Sequence, residues 1–462
     1  MGSRKGFPYQ RGFGNEFQTE AVPGALPLGQ NNPQACPHGL YAEQLSGTAF
    51  TVPRKSNQRT WLYRTLPSVV HGEYERVSEE RAPGLWARGR IVTPERLRWR
   101  PRALPSVPTG QGAVDFVRGL LRVGESGSAA ARDGLSVYSY VCNQSMRQCA
   151  LYSADGDWLI VPQQGMLLLQ TELGYVHAGP CECVVVPRGI RFRVSIQGDE
   201  DTAEPVMARG FVLEVYHGHW ELPDLGVIGA NGCAAPRDFE YPVAAYDAPS
   251  SGETAAFTVF AKFNNELFAY RQPHSPFNVV AWHGNYAPCR YDLRRFCPVN
   301  AVRFDHMDPS IFTVLTCRSN EVGVALADFV VFPPRWHVQE HTFRPPYFHR
   351  NCMTEFMMNL SGAYDAKQAS AFAPGACSLH SMMSAHGPDV ESYERAAAVE
   401  LMPQRVSDEN MAAMFETSRM LLLTPQALQD PSRDLQYISC WQGYRCRFGE
   451  ERTEKASQRR NG

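Results

Sequence analysis

The sequence has no run of apolar residues long enough to cross a membrane. Its opening, MGSRKGFPYQ, carries two basic side chains without the apolar stretch an export signal needs. Membrane and secretory classes are set aside, and a cytoplasmic protein is expected. Neither sign of charge is in excess. The 45 lysines and arginines nearly balance 47 aspartates and glutamates, so no long-range field favours nucleic acid or anionic lipid. A small-molecule partner is expected. The 13 cysteines are an odd number with no C-x-x-C pair, which argues against a disulfide framework, a zinc ribbon or a ferredoxin-type cluster. Reduced thiols fit better. Helical periodicity is scarce, and no repeat of solenoid or propeller period is visible.

What the sequence does contain is β texture. At 462 residues the chain is too long for one ordinary core, and two domains are expected. The first sixty residues are rich in Gly, Pro, Asn and Gln and read as ordered extended arms and turns, or partly as interface. From Trp61 onward, short β-branched and aromatic runs alternate with Pro and Gly: VYSYVC, WLIVP, MLLLQTEL, CECVVVP, RFRVSI and GFVLEVY. That is the pattern of an antiparallel sandwich or barrel. A second set follows Pro273, with VVAWHG, AVRFDHM, IFTVLTC, VGVALADFVVFP, FMMNLSG and MAAMFETSRMLLL. The best helical stretch is Val390 to Leu401, led by Asp389 as N-cap.

Between Gly165 and Val194 a glycine turn, a strand, another turn and V-P-R-G precede a further strand, which resembles half of a cupin-type barrel. Such a Pro-x-Gly turn commonly precedes a metal-binding His. Here Ile190, Arg191 and Phe192 stand in that place, so this barrel is expected to be structural. His177, Cys181 and Cys183 lie near it, but cysteines two apart on a strand read as small buried hydrophobes rather than a soft metal site. The expected architecture is mainly all-β: tandem β-sandwich or cupin-like jelly-roll domains with a few short helices. Residues 1–272 would form an N-terminal domain with an extended arm and no metal. Residues 273–449 would form a C-terminal cupin-like domain, and 450–462 a mobile charged tail.

Chemistry concentrates in RWHVQEHTFRPPYFHRNCMTEF, followed by LHSMMSAHGPD. Imidazole and carboxylate together suit Fe(II), and three protein ligands on one face of an octahedron leave positions for substrate and O₂. His349 and Glu355, six apart, would lie roughly 20 Å from each other on one straight strand, so the chain must turn between them. His386 would arrive from a later strand or loop. On spacing alone a surface His and an unrelated Glu explain the pair better than a metal site does. A rival cluster is His217, His219 and Glu221, where a residue at i+4 would need a bend to share a metal, which favours satisfied histidines. His283 and His306 each end apolar runs and are candidate general bases, and Asp305 and Asp308 flank His306. His274, His337, His341 and His380 read as structural, and Pro333 and Pro334 argue against a helix that would join His337 to His341.

The motifs GFGNEF, SPFNVVAWHGNY, FDHMDPSIFTVLT, ADFVVFPPRW, FRPPYFHRNCMTEF and SLHSMMSAHGPD, in this order, closely resemble the homogentisate 1,2-dioxygenases. The similarity runs from about Gly12 to the helix near Leu401. It implies that His349, Glu355 and His386 hold Fe(II), that His306 is the active-site base, and that Tyr364 and His386 contact the substrate. It further implies that homogentisate and O₂ give 4-maleylacetoacetate, as in tyrosine and phenylalanine catabolism, and that the assembly is a homohexamer built as a dimer of trimers. Departures from the family pattern are modest: His337 and His341, one apparent extra residue between Lys367 and His386, and the tail past Gly449. Arg344, Arg350 and Lys367 lie near the ligands as candidate partners for a substrate carboxylate. The rival readings are a gentisate-type dioxygenase and a non-enzymatic storage or binding protein.

Overall fold

Apolar runs bounded by Pro and Gly become strands wherever a partner strand covers them. The computed structural model describes residues 7–105, 112–198, 206–226, 228–248, 256–364, 367, 371–406 and 409–448. The charged segment expected to be a mobile tail, 450–462, lies outside the described residues. The strands Glu182–Val186, Asp157–Gln164, Ala208–Val215, Asp133–Cys142 and Leu120–Ser128 lie side by side in a nine-stranded sheet. A seven-stranded sheet built on Met166–Thr171, Phe192–Gln197, Cys149–Ser153 and Phe257–Phe263 packs against it. Trp158 from the first sheet and Phe192 from the second meet edge to face, ring centroids 6.0 Å apart, in a shared apolar core. The strands in the middle of this sandwich are buried almost throughout, which is why VYSYVC and CECVVVP read as continuous apolar runs rather than as alternation.

A second seven-stranded sheet carries the chemistry. Its order is Trp220–Glu221, Thr313–Arg318, Ala325–Phe332, Met411–Thr417, Thr354–Ser361, Cys377–His380, Leu97–Trp99. Both outer strands come from the first half of the chain, while Cys289–Asp292 and Leu422–Leu423 pair into the nine-stranded sheet. Exchanged edges leave fewer unpaired backbone groups and lock the two regions together. Phe211 of the first region meets Phe356 of the second at 5.9 Å, and one apolar cluster spans both. The early arm is ordered: Phe17–Glu20, Tyr41–Ser46 and Arg59–Arg64 form a four-stranded sheet with Val279–Gly284.

Two sequence expectations are corrected. AVRFDHM forms no strand: Val302 and Phe304 are exposed, and Asp305 adopts the left-handed region at φ 64°, so no neighbour buries alternate side chains. The helix begins after Asp389, whose side chain accepts the Ser392 amide at 2.8 Å, but it ends at Ala398 and not Leu401. Val399 is already extended, and Pro403 disfavours helix at Met402. All 13 cysteines are unpaired. No helix among the described residues is long and apolar enough to cross a membrane.

Candidate active site

His349 and His386 face each other as an isolated antiparallel pair, exchanging two backbone hydrogen bonds of 3.0 Å each. That pair brings two remote segments to one point. Between His349 and Glu355 the chain bends at Cys352 and Met353 before entering the strand Thr354–Ser361, which removes the separation a straight strand would impose. Asn351 shapes this bend: its side-chain Oδ1 accepts the Met353 backbone amide at 2.8 Å, and its side-chain Nδ2 donates to Glu355 Oε1 at 2.9 Å. Glu355 Oε1 then lies 3.2 Å from His349 Nε2 and Oε2 lies 3.0 Å from His386 Nε2. The ligating atoms of the three residues all fall within 4.8 Å of one another, and among the described residues no other group of three could hold a metal.

The hydrogen bonds behind these rings decide what the cluster wants. His349 Nδ1 meets the Tyr347 carbonyl at 2.7 Å, and His386 Nδ1 meets the Ser384 carbonyl at 2.9 Å. A carbonyl only accepts, so each Nδ1 carries the hydrogen, and in the neutral rings each Nε2 lone pair points at a carboxylate oxygen. Lone pairs aimed at an anion repel unless a proton or a cation lies between them. The donor set therefore fits a divalent ion of the kind that accepts nitrogen and oxygen ligands, with the backbone carbonyls orienting both imidazoles. Burial opposes charge on Glu355, yet the neighbouring imidazoles hold its carboxyl far below the usual carboxylate range. Burial likewise opposes the His349 imidazolium, and Glu355 more than compensates, raising its pKa.

These residues form part of the wall of a cavity of about 420 Å³, which His306 and Tyr364 also line. His306 Nδ1 donates to the Met307 carbonyl at 2.7 Å, so the neutral ring carries its lone pair on Nε2. Its ring lies 6.1 Å from that of Tyr347, which in turn lies 5.5 Å from that of His349. The Tyr347 hydroxyl donates to Asp308 at 2.5 Å, tying the loop that bears His306 to the segment that bears His349, and this acceptor pushes the phenol up to about 12. Tyr364 is buried beside Phe332 and Phe372, with ring centroids 6.1 Å away in each case.

Sequence reasoning set His380 aside, and the structure places it in this cavity. His380 sits directly opposite Glu355 across the sheet, and its ring stacks on His386 at 4.1 Å. Its Nε2 is 2.8 Å from the Tyr437 hydroxyl, while Nδ1 stops 3.7 Å from Glu355 Oε2, too far for a hydrogen bond. Burial pushes it down to about 3, so the ring is neutral. Glu416, opposite Glu355 on the other side, is raised to about 7 by burial and by the Glu355 charge. These three side chains stand on three different strands that are buried almost throughout, so alternation within a strand does not relate them. Only the pairing register shows that they meet.

The other candidates lie elsewhere. His283 is on Val279–Gly284 with Nε2 3.3 Å from the Tyr63 hydroxyl, outside the cavity lining. His219 bonds Asp157 at 2.8 Å and the Gly47 carbonyl at 2.9 Å, His217 meets the Arg132 carbonyl, and Glu221 pairs with Arg318, so this rival cluster does not converge. Arg191 pairs with Glu172 at 2.6 Å. His177 bonds the Tyr9 hydroxyl, and Cys181 approaches Ser361.

A family model described as homogentisate 1,2-dioxygenase N-terminal matches residues 8–293, and one described as homogentisate 1,2-dioxygenase C-terminal matches residues 294–448. The chain is 50% identical over 443 residues to homogentisate 1,2-dioxygenase of Mus musculus, covering 95% of this chain and 96% of that one. It is 50% identical over 444 residues to the Homo sapiens protein of that name (95% and 96% covered). The Drosophila melanogaster protein is 49% identical over 453 residues (96% and 98%). Among solved structures, Ylba from E. coli is 9% identical with a TM-score of 0.27, covering 72% of this chain and 95% of that one. A single-residue variant of Bacillus subtilis oxalate decarboxylase is 10% identical with a TM-score of 0.25 (72% and 79%). Neither structural likeness carries an argument at that score. On the family models and the full-length identities, this chain belongs to the homogentisate 1,2-dioxygenase family.

Proposed function

We propose that this protein opens the aromatic ring of homogentisate with O₂, using Fe(II) held by His349, Glu355 and His386. The observation that carries this reading is the convergence of two Nε2 lone pairs on one carboxylate in a cavity that His306 and Tyr364 also line. Iron(II) bound there would supply a centre that holds a phenol oxygen and O₂ together and relays electrons between them. The chain's own residues do the rest. His306, with its lone pair on Nε2, takes the phenol proton, which raises the ring's donor strength. The Tyr364 hydroxyl and His386 contact the substrate, while buried Phe332, Met357 and Met414 flank the ring and exclude water. Both atoms of O₂ enter the product as the bond beside the acetate-bearing carbon opens. Cytoplasmic residence fits the unpaired cysteines, and the family resemblance supports a dimer of trimers.

Oxygen uptake by protein purified anaerobically and loaded with Fe(II) tests the reading. Homogentisate should be consumed one to one with O₂, and gentisate slowly or not at all. Faster turnover of gentisate would shift the substrate class, and neither turnover nor stoichiometric iron would leave a binding protein.

We also read residues 1–272 as a domain without metal and 273–449 as the one that binds it. In support, Arg191 stands paired with Glu172 in the turn where a ligand would otherwise lie, and its permanent charge repels a divalent ion. In a His349→Ala, His386→Ala double variant, iron should fall to background by metal analysis. Retention of roughly half the original iron would place a second site in the first domain.

A further inference from the structure

Among the described residues two lysines are buried, and their surroundings are opposite. Lys262 lies 2.5 Å from Asp155 Oδ2 and 2.9 Å from Glu214 Oε2, the pairing that burying an ammonium ordinarily requires. Lys367, only 8% exposed, has no such partner: its Nζ donates to the Gly387 carbonyl at 3.0 Å, and among the described residues no carboxylate forms an ion pair with it. Asp389 and Glu355 act on it only through space. The aromatic walls of Trp441 and Tyr437, 4.8 Å and 5.4 Å from Nζ, hold the head group in place. A buried cation facing a cavity without an anion is costly, unless the ligand brings the anion.

Lys367 lines the same cavity as the ligand cluster. Gly387, the carbonyl it holds, directly follows His386, so the ammonium sits beside the ligand end of the pocket. The other basic candidates are placed differently. Arg344 is turned to the carbonyls of Gln339 and Met402, and Arg350 lines the same cavity but is exposed, so its charge stays solvated while that of Lys367 is buried. In homogentisate the carboxylate is one methylene from the ring carbon next to a phenol carbon, so a phenol oxygen at the metal brings the carboxylate to this same end.

We infer that Lys367 receives the carboxylate of the aromatic acid and makes the site choose an arylacetate over a neutral hydroquinone. The inference rests on the ring-opening reading above and assigns the residue that selects its substrate.

The test compares wild type, Lys367→Met, Lys367→Gln and Lys367→Arg, each checked for iron content and folding, on homogentisate and on 2-methylhydroquinone, the same ring without the carboxylate. The ratio of kcat/KM for the acid over the neutral ring should fall by about 10²-fold in the Met and Gln variants, with partial recovery in Arg and iron retained throughout. An unchanged ratio, with both substrates slowed alike, would make Lys367 a structural residue and overturn the inference. If wild type turns over neither compound, the ring-opening reading fails on its own. Calorimetry of 2-hydroxyphenylacetate against 2-methylphenol then decides the lysine separately. Tighter binding of the acid that disappears in Lys367→Met supports carboxylate capture, and equal binding of the two in wild type overturns it.

Discussion

Glu355→Gln should lose iron and turnover together, to below about a tenth of wild type in metal content, because this substitution acts on the metal site at two levels. Glu355 is the only anion of the proposed ligand set, and its charge offsets part of the cation's. The second level lies in the hydrogen bonds. With Nδ1 of His349 and His386 committed to backbone carbonyls, the two Nε2 lone pairs face the carboxylate without a hydrogen between them. An amide at position 355 brings its own N–H donors to at least one of those lone pairs, so the metal-free cluster becomes self-satisfied and competes with metal binding. Circular dichroism should report an intact fold, since the strand Thr354–Ser361 keeps its backbone pairing on both sides. Near-wild-type iron with full oxygen uptake in this variant would remove Glu355 from the metal site.

His306→Ala should show the opposite separation, with iron retained and turnover reduced by about 10²- to 10⁴-fold, the usual consequence of deleting a general acid or base. The geometry predicts the separation because His306 lies outside the group whose atoms converge within 4.8 Å, its ring 6.1 Å from that of Tyr347, which lies 5.5 Å from that of His349. Single-turnover kinetics at saturating homogentisate, paired with metal analysis, reads both quantities on one sample. A parallel loss of iron would make His306 a ligand. Unchanged turnover would take it out of the chemistry, and His283 would be a poor replacement, because it lies outside the cavity beside Tyr63.

Much of the fold is legible in the sequence because the information is local. A run such as WLIVP or FVVF, bounded by Pro or Gly, is strand-forming wherever it is buried, and Asp389 announces a helix start through a hydrogen bond three residues away. AVRFDHM fails the same test for a non-local reason: its apolar residues have the composition of a strand, but no partner strand covers them. His349, Glu355, His386, His306 and Tyr364 could be named from ordered motifs, yet the motifs say nothing about how the residues approach one another. The requirement that the chain turn between His349 and Glu355 was arithmetic on strand rise, whereas the place of the turn, at Cys352 and Met353 under Asn351, belongs to the structure.

The sequence by itself determined strand-forming character, the absence of charge bias, a thiol set without metal-binding spacing, and the residue types able to bind iron. Tertiary structure decided which of them meet. His380 and Glu416 stand on either side of Glu355 only because three strands distant in the chain pair in one register, and a slip of one residue would turn each of these side chains to the opposite face. Lys262 and Lys367 are the same residue type in sequence. One is enclosed with two carboxylates and the other with a carbonyl and two aromatic rings, and that difference in surroundings separates a structural ion pair from a cation left for a ligand.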